Sequence, residues 1–389
     1  MRVVWVNRSE WRKPGPIVYI GLLNARAFAL AGNEVDYFCS AGDDSDTESD
    51  ISEFYGLDSV DGLEVHRIAR GSRLAENFGR RVYREALAQT VRLLKSGEQV
   101  TLLTRELGLA LSLARLQKKW PDQLRTIYEA HDFHADLSRR ESTDFNDQRK
   151  RLTERWTLPR ISGVLSITNA QAKLYQEALP GLNVLNRPLG CLEFARPSSP
   201  EELRQRRTIA YIGHLHREKG VPQLLKHEKW LAERNLKLQI IGGDPDRVGQ
   251  LSRKRKLGEG SPIEILPMMP PANLHRHLGN EVGAGLVPLQ ENFYNRHLTC
   301  PVKALDSMAH HLPVIASDLN STREVLGDSG WFVPPGDGEA IRLAIADLFD
   351  DPERFAALSR AAGKRAKELS WKKRAEDISA WAWARSCRS

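Results

Sequence analysis

Two hydrophobic patterns alternate along this chain. Short, nearly continuous apolar runs read as buried strands: RVVWVN, EVDYFC, VTLLTR, TIYEAHD, GVLSIT, TIAYIG, LKLQIIGG, IEILP, AGLVPL and PVIAS. Between them lie segments with helical spacing. In IVYIGLLNARAFALAG, Ile17, Ile20, Leu23, Ala27 and Leu30 share one face, and Gly32 marks the stop. Further helices are predicted over 107–118, 148–160, 169–178, 219–233, 245–257, 271–279, 302–310 and from about 337 onward. Alternation of this kind predicts α/β architecture with parallel sheets covered on both faces. The pattern breaks in RPLGCLEFARPSSPEELRQRR, 187–207, where proline, serine and charge accumulate. A domain boundary there leaves two doubly wound, Rossmann-like domains facing across a cleft. Ligands are then expected at the carboxyl ends of strands.

Composition narrows the class. A chain of 389 residues exceeds one ordinary core, and 41% hydrophobic with 28% charged residues describes a globular protein. No run is long and apolar enough to span a membrane. The N-terminus enters a strand directly, without a signal peptide's apolar core, which points to a protein that stays where it is made. Cys39, Cys191, Cys300 and Cys387 are far apart with no metal-type spacing, as expected for free thiols in a reducing cytoplasm.

The net charge of +7 is unevenly spread: residues 34–64 carry eleven acidic side chains and no Lys or Arg, whereas 65–160 carry twenty basic against twelve acidic. In FGRRVYREALAQTVRLLK, Arg80, Arg81, Arg84, Arg92 and Lys95 recur near helical spacing. Such a helix suits an anionic membrane surface, and equally an ordinary solvated face. No aromatic-interleaved basic segment supports nucleic-acid binding.

Two stretches carry candidate chemistry. GHLHREKG, 213–220, follows a strand end; Gly213 lets a ligand approach the backbone, and a helix beginning near Lys219 would aim amide donors outward. His214 and Lys219 would add charge to a bound phosphate. His214 with His216 is weak as a metal pair, since no further ligands stand nearby, and a solvated basic loop fits the same residues. The second stretch is TCPVKALDSMAHHLPVIASD, 299–318. Pro301 suits a first helical turn, backbone amides and Lys303 lie at that start, and Asp306 could accept hydrogen bonds from a ligand diol. Asp306 at the positive helix end and a solvated Lys303 explain the same spacing without a ligand.

With their surroundings these stretches resemble the retaining, GT-B-fold glycosyltransferases of family 4, the bacterial group 1 type. YIGHLHREKG, IIGGDP, VGAGLVPL, TCPVKALDSMAHHLPVIASD, STREVLGDSGWFVPPGD and SWKKRAEDI follow the family's motifs in order over 208–380. The N-terminal half is similar more loosely. Gly15 and Pro16 stand at the family's Gly-Gly loop, LLTRELGLAL at its arginine-bearing strand end, and YEAHD at its Glu-x-His-Asp segment. The resemblance implies two domains, 1–190 and 191–369, with a helix over about 370–389 crossing back to the first, anchored by Trp371, Trp381 and Trp383. It implies that His131 faces the cleft near the transferred sugar with Arg105 close by. A metal clip of His131, His134 and Asp136 is the alternative for HDFHAD, and the family generally needs no metal or other cofactor.

The implied activity is transfer of a hexose from a UDP- or GDP-sugar to a glycan, lipid-linked or small-molecule acceptor, with retention. Lys219 would meet the diphosphate, Asp306 the ribose, and Gly213, His214, Gly242, Gly243, Met268, Thr299, Cys300, Val302 and Lys303 would line the donor site. Two positions depart from the family: Leu298 and Asp306 occupy its paired-glutamate positions, and His214 stands where arginine is common. Glu291 is a candidate carboxylate for sugar hydroxyls. A catalytically degenerate nucleotide-binding scaffold is the alternative function. An NAD-linked oxidoreductase does not fit, since NRSEWRKPGP after the first strand lacks Gly-x-Gly-x-x-Gly. The expected location is the cytoplasm, with peripheral contact at the inner face of the membrane.

Overall fold

The computed structural model describes residues 1–384 except 14, 43–50, 70–77, 141–142, 195–196, 216–218, 256 and 258–259. The chain divides into two compact units: Met1–Glu53, Leu57–Leu189 and the chain from Trp371 onward form one, Phe54–Gly56 and Gly190–Ser370 the other.

The first unit is built on strands β1 (Arg2–Glu10), β2 (Glu34–Ser40), β3 (Leu63–Ile68), β4 (Val100–Thr104), β5 (Leu124–Ala130), β6 (Gly163–Ser166) and β7 (Val184–Asn186), ordered β3-β2-β1-β4-β5-β6-β7. The second has β8 (Thr208–Ile212), β9 (Lys237–Ile241), β10 (Ile263–Leu266), β11 (Ala284–Val287), β12 (Val314–Ser317) and β13 (Gly330–Val333), ordered β10-β9-β8-β11-β12-β13. Every strand pair is parallel. Strand order reverses between β1 and β4, and again between β8 and β11, so each unit has the crevice where doubly wound sheets take ligands. The central strands are apolar throughout because both faces are covered: Val4, Leu102 and Ile127 in one unit and Ile209, Ile240 and Leu286 in the other are buried.

The unanticipated strands β3, β7 and β13 all lie at sheet edges, where exposure weakens the apolar run; LEVHRI of β3 is half-exposed along most of its length. The continuous helix expected over 219–233 is two short pieces, Val221–Leu224 and Glu228–Glu233. Gly220 is left-handed (φ 81°), and a Cβ there would lie 2.0 Å from the Pro288 carbonyl oxygen, so no helix runs through it. The chain turns again near His227, which lets both Leu225 and Leu231 enter the core.

In the helix Phe78–Lys95, Val82, Ala86, Leu93 and Leu94 are buried, while Arg80, Arg81, Arg84 and Arg92 are exposed. Those four side chains are committed to the first unit, while Leu87 and Val91 are half-buried. Cys39, Cys191 and Cys300 are buried and form no disulfide among the described residues, and burial pushes Cys39 up to about 12. Cys387 lies outside the described residues.

The helix Trp371–Trp383 belongs to the first unit. Its tryptophans hold it there: Trp371 is buried, Trp381 Nε1 donates to Asn183 Oδ1 (3.1 Å), and Trp383 Nε1 donates to Thr101 Oγ1 (2.8 Å). A further anchor is Arg374, 4% exposed, whose Nη2 donates to Glu129 Oε2 at 2.7 Å and Nε to the Pro188 carbonyl at 2.9 Å. Its Nη1 donates to Asn24 Oδ1. Removing one partner of a buried ion pair strands the other charge, which costs about 3–5 kcal/mol. Arg374→Met should lower stability by about that amount in urea unfolding, and adding Glu129→Gln should recover part of it. An unchanged midpoint in Arg374→Met would show that the pair does not hold the helix.

Candidate functional site

In the second unit, the ends of β8, β9 and β10 are laced together by backbone. Gly213 N donates to the Ile241 carbonyl (2.9 Å), Gly242 N to that of Leu266 (2.9 Å), and Met268 N to that of Gly243 (3.0 Å). A Cβ on Gly242 would lie 1.9 Å from the Gly213 carbonyl oxygen, so the sheet edge itself requires that glycine. His214 is exposed, and its carbonyl accepts from the Tyr211 hydroxyl at 2.8 Å. His216 and Arg217, read from sequence as solvent-facing, lie outside the described residues.

The loops after β8 and β11, on either side of the strand-order reversal, bring two lysines together. Lys219 Nζ donates to Asn295 Oδ1 at 3.2 Å and lies 5.5 Å from the Tyr294 ring centre. Asn295 is fully buried and held by its own contacts: Nδ2 donates to the Gln290 carbonyl (2.8 Å), and the backbone NH donates to Asn292 Oδ1 (2.7 Å). Thr299 Oγ1 joins the same amide oxygen at 3.3 Å. Lys303, in the helix Val302–Ala309, lays its ammonium 4.3 Å from the Tyr211 ring centre. Burial first, and the Lys219 charge second, pull Lys303 down to about 7. Among the described residues no carboxylate lies within ion-pair distance of Lys303. The helix start beside it has Pro301 as N-cap and no side-chain cap. Two neighbouring lysines and a helix start without a side-chain cap are groups that an anion placed here would relieve and satisfy.

The helix expected to aim amides from Lys219 is absent as such; Val221–Leu224 has four residues and starts after the left-handed Gly220. The amide donors at this crevice come from the Val302 end instead. Cys300 is buried, Val302 is half-buried at the first helical position, and Glu291 is an exposed residue paired to Arg296. Leu298 is 1% exposed, part of the packing beneath the loop.

Asp306 lies one turn beyond Lys303, its side chain 14% exposed, with His275 Nε2 3.9 Å from Oδ1. Burial pushes its carboxyl up to about 7, and burial likewise pulls the neighbouring His275 down to about 4. His275 Nδ1 is 3.1 Å from His310 Nε2, and Phe194 stacks on His310.

The first unit carries a second cluster. Gly15 (φ 101°) precedes Pro16, the first residue of the helix Pro16–Leu30. Arg105 follows β4, and His131 follows β5 with Nε2 2.6 Å from Glu129 Oε1. Glu129 is fully buried, yet Arg374 and the His131 contact outweigh that burial and hold its carboxyl at about 2. Burial and the nearby Arg105 pull His131 down to about 4 against the attraction of Glu129. An ionised carboxylate can only accept, so Nε2 carries the imidazole proton and Nδ1 is left as an acceptor. His131 at neutral pH is therefore suited to orient a hydroxyl and unsuited to protonate anything. The alternative clip does not assemble: His134 Nε2 pairs with Asp132 (3.1 Å), its Nδ1 lies 3.5 Å from Asp147, and Asp136 accepts from Ser138.

Sequence reasoning missed Asn295, Tyr211, Glu129 and Arg374 as site or support residues. Glu129 and Arg374 stand inside quoted motifs, YEAHD and SWKKRAEDI, where their pairing across 245 positions left no local signal. Asn295 gave none, since its meaning depends on Lys219, 76 positions earlier.

Comparison with known proteins agrees with this architecture. Residues 206–351 match the family described as group 1 glycosyl transferases. No curated protein matches the chain by sequence. Among solved structures, the chain is similar to sucrose-phosphate synthase from Thermosynechococcus elongatus, at TM-score 0.66 and 17% identity over 97% of each chain. It is also similar to HepE of Anabaena, crystallised with UDP and glucose, at TM-score 0.65 and 14% identity over 98% of this chain and 100% of that one. A third similar structure is the trehalose-6-phosphate synthase OtsA, at TM-score 0.65 and 12% identity over 98% of each chain.

Asp306 sets a pH signature independent of any ligand. Its carboxyl ionises near 3.8 in the unfolded chain and about 7 when folded. Between those values the folded state holds a proton that the unfolded state has lost, so this group's contribution falls as pH rises. Asp306→Asn should therefore gain on the unaltered protein in urea midpoint between pH 4.5 and pH 8. An equal difference at both pH values would show that the carboxylate is not buried as described.

Proposed function

Residues 206–351 belong to the group 1 glycosyl transferases in a chain of GT-B fold, and from that premise we propose that the protein moves a hexose from a UDP- or GDP-sugar to a glycan, lipid-linked or small-molecule acceptor with retention. The observation that carries this reading is the Lys219–Lys303 pair at the β8/β11 crevice. In the transfer, the bond between C1 and the phosphate oxygen breaks and a bond from C1 to the acceptor oxygen forms. The departing nucleoside diphosphate gathers negative charge, and two preplaced lysines with the Val302 helix start stabilise it electrostatically.

Positive charge from side chains takes the place a metal would have, so the proposed reaction runs without one. With the front-face course implied by the resemblance, the acceptor's proton passes to the departing phosphate oxygen and no separate base is needed. Asp306 is assigned to the ribose hydroxyls. His131, neutral and accepting through Nδ1, is assigned to a hydroxyl of the transferred sugar, with Arg105 beside it. HepE's complex with UDP-glucose favours UDP among the candidate bases.

The second reading, a nucleotide-binding scaffold without turnover, is favoured by Leu298, a buried apolar residue at the first paired-glutamate position. Donor hydrolysis and transfer measured over a panel of nucleotide sugars, beside thermal shifts with UDP and GDP, separate the two. Turnover supports transfer; nucleotide-induced stabilisation without turnover supports the scaffold. Within an active protein, Lys219→Ala should lower kcat/KM by about 10²–10³-fold, the usual loss when one donor to a developing oxyanion is removed. Near-normal turnover in that variant would remove the diphosphate role.

A further inference from the structure

The helix Phe145–Thr157 is amphipathic in the reverse of the usual sense. Phe145, Leu152 and Trp156 are 85%, 67% and 52% exposed, although they are its largest apolar side chains. Seven and four residues apart, they fall within about 40° of one another around the helix axis. Both of its acidic residues point inward: Glu154 is buried, accepting from the Tyr175 hydroxyl (2.9 Å) and from His134 N (2.8 Å). Asp147 is 15% exposed and closes the capping box with Asp144. Beside the apolar stripe the exposed side chains are the uncharged Asn146 and Gln148 and the cationic Arg149, with Arg151 further round the helix. Arg149 and Arg151 are exposed and make no ion pair among the described residues. Arg160, just past the helix, lays its guanidinium 4.5 Å from the Trp156 ring centre.

A solvated helix puts charge outside and Phe, Leu and Trp inside; this one exposes both together. Aromatic and aliphatic side chains beside exposed arginines, with both acids of the helix itself turned inward and the exposed Asp144 engaged in the cap, match the boundary between acyl chains and anionic headgroups. We propose that this face docks on an anionic phospholipid surface, with Phe145, Leu152 and Trp156 entering the headgroup boundary and Arg149, Arg151 and Arg160 meeting phosphates. Charge decides against a second copy of this chain: a two-fold interface would set the arginines of one face against those of the other. The inference stands apart from the transfer reaction. It places the contact on a different helix from Phe78–Lys95, in which Val82, Ala86, Leu93 and Leu94 are buried.

Flotation of the full chain with phosphatidylcholine vesicles, with and without phosphatidylglycerol, tests this. The chain should float only with the anionic vesicles. Phe145→Ser, Leu152→Ser and Trp156→Ser combined should reduce binding at least about tenfold, while circular dichroism and thermal midpoint stay those of the folded protein. Arg149→Gln and Arg151→Gln should each weaken it roughly fivefold, whereas Arg80→Ala, Arg81→Ala and Arg84→Ala combined should leave it unchanged. Brominated lipids should quench a component of the fluorescence that Trp156→Phe removes. The proposal fails if the chain does not float, or if the triple serine variant floats like the unaltered protein. It also fails if that variant instead abolishes a dimer or the capture of an acidic protein partner.

Discussion

Lys219 and Lys303 are held close enough for one to depress the other, in a crevice that already disfavours charge on Lys303. Like charges brought together and desolvated are unfavourable by themselves, and an anion between them relieves both terms at once. The elements around them are rigid: three strand ends laced by backbone hydrogen bonds, a buried asparagine fixing Lys219, and a tyrosine ring under Lys303. These contacts hold both lysines without help from a ligand, as the proposed electrostatic stabilisation of a leaving group requires.

The first unit solves the opposite problem. A carboxylate with no exposure is kept ionised by Arg374, and its charge fixes the proton of His131 on Nε2. Arg374 comes from the last helix, so the chain end sets the state of a side chain at the end of β5. Loss of that helix would be felt at His131 as well as in stability.

Much of the architecture was legible in the hydrophobic pattern because central parallel strands are buried on both faces and read as unbroken apolar runs. Edge strands such as LEVHRI were not, since half-exposure mixes polar residues into the run. Lys219, Lys303 and Asp306 could be named from motifs at strand ends and a helix start. Their electrostatic states could not, because these come from burial under elements distant in sequence and, for Lys303, from the charge of Lys219. The break at Gly220 was hidden for a similar reason, since the obstacle is the carbonyl of Pro288. Glycine there looked like a loop residue and is a packing requirement.

The central claim is that the second unit's crevice is a diphosphate site waiting for charge. Isothermal titration of UDP and GDP at pH 8, in two buffers of different ionisation enthalpy, tests it most directly. Lys303 is largely neutral at that pH when the site is empty, and a bound diphosphate should restore its proton. The account predicts uptake approaching about one proton per nucleotide bound, abolished in Lys303→Arg, whose guanidinium is already charged. Nucleotide binding with no proton uptake in the unaltered protein would contradict it.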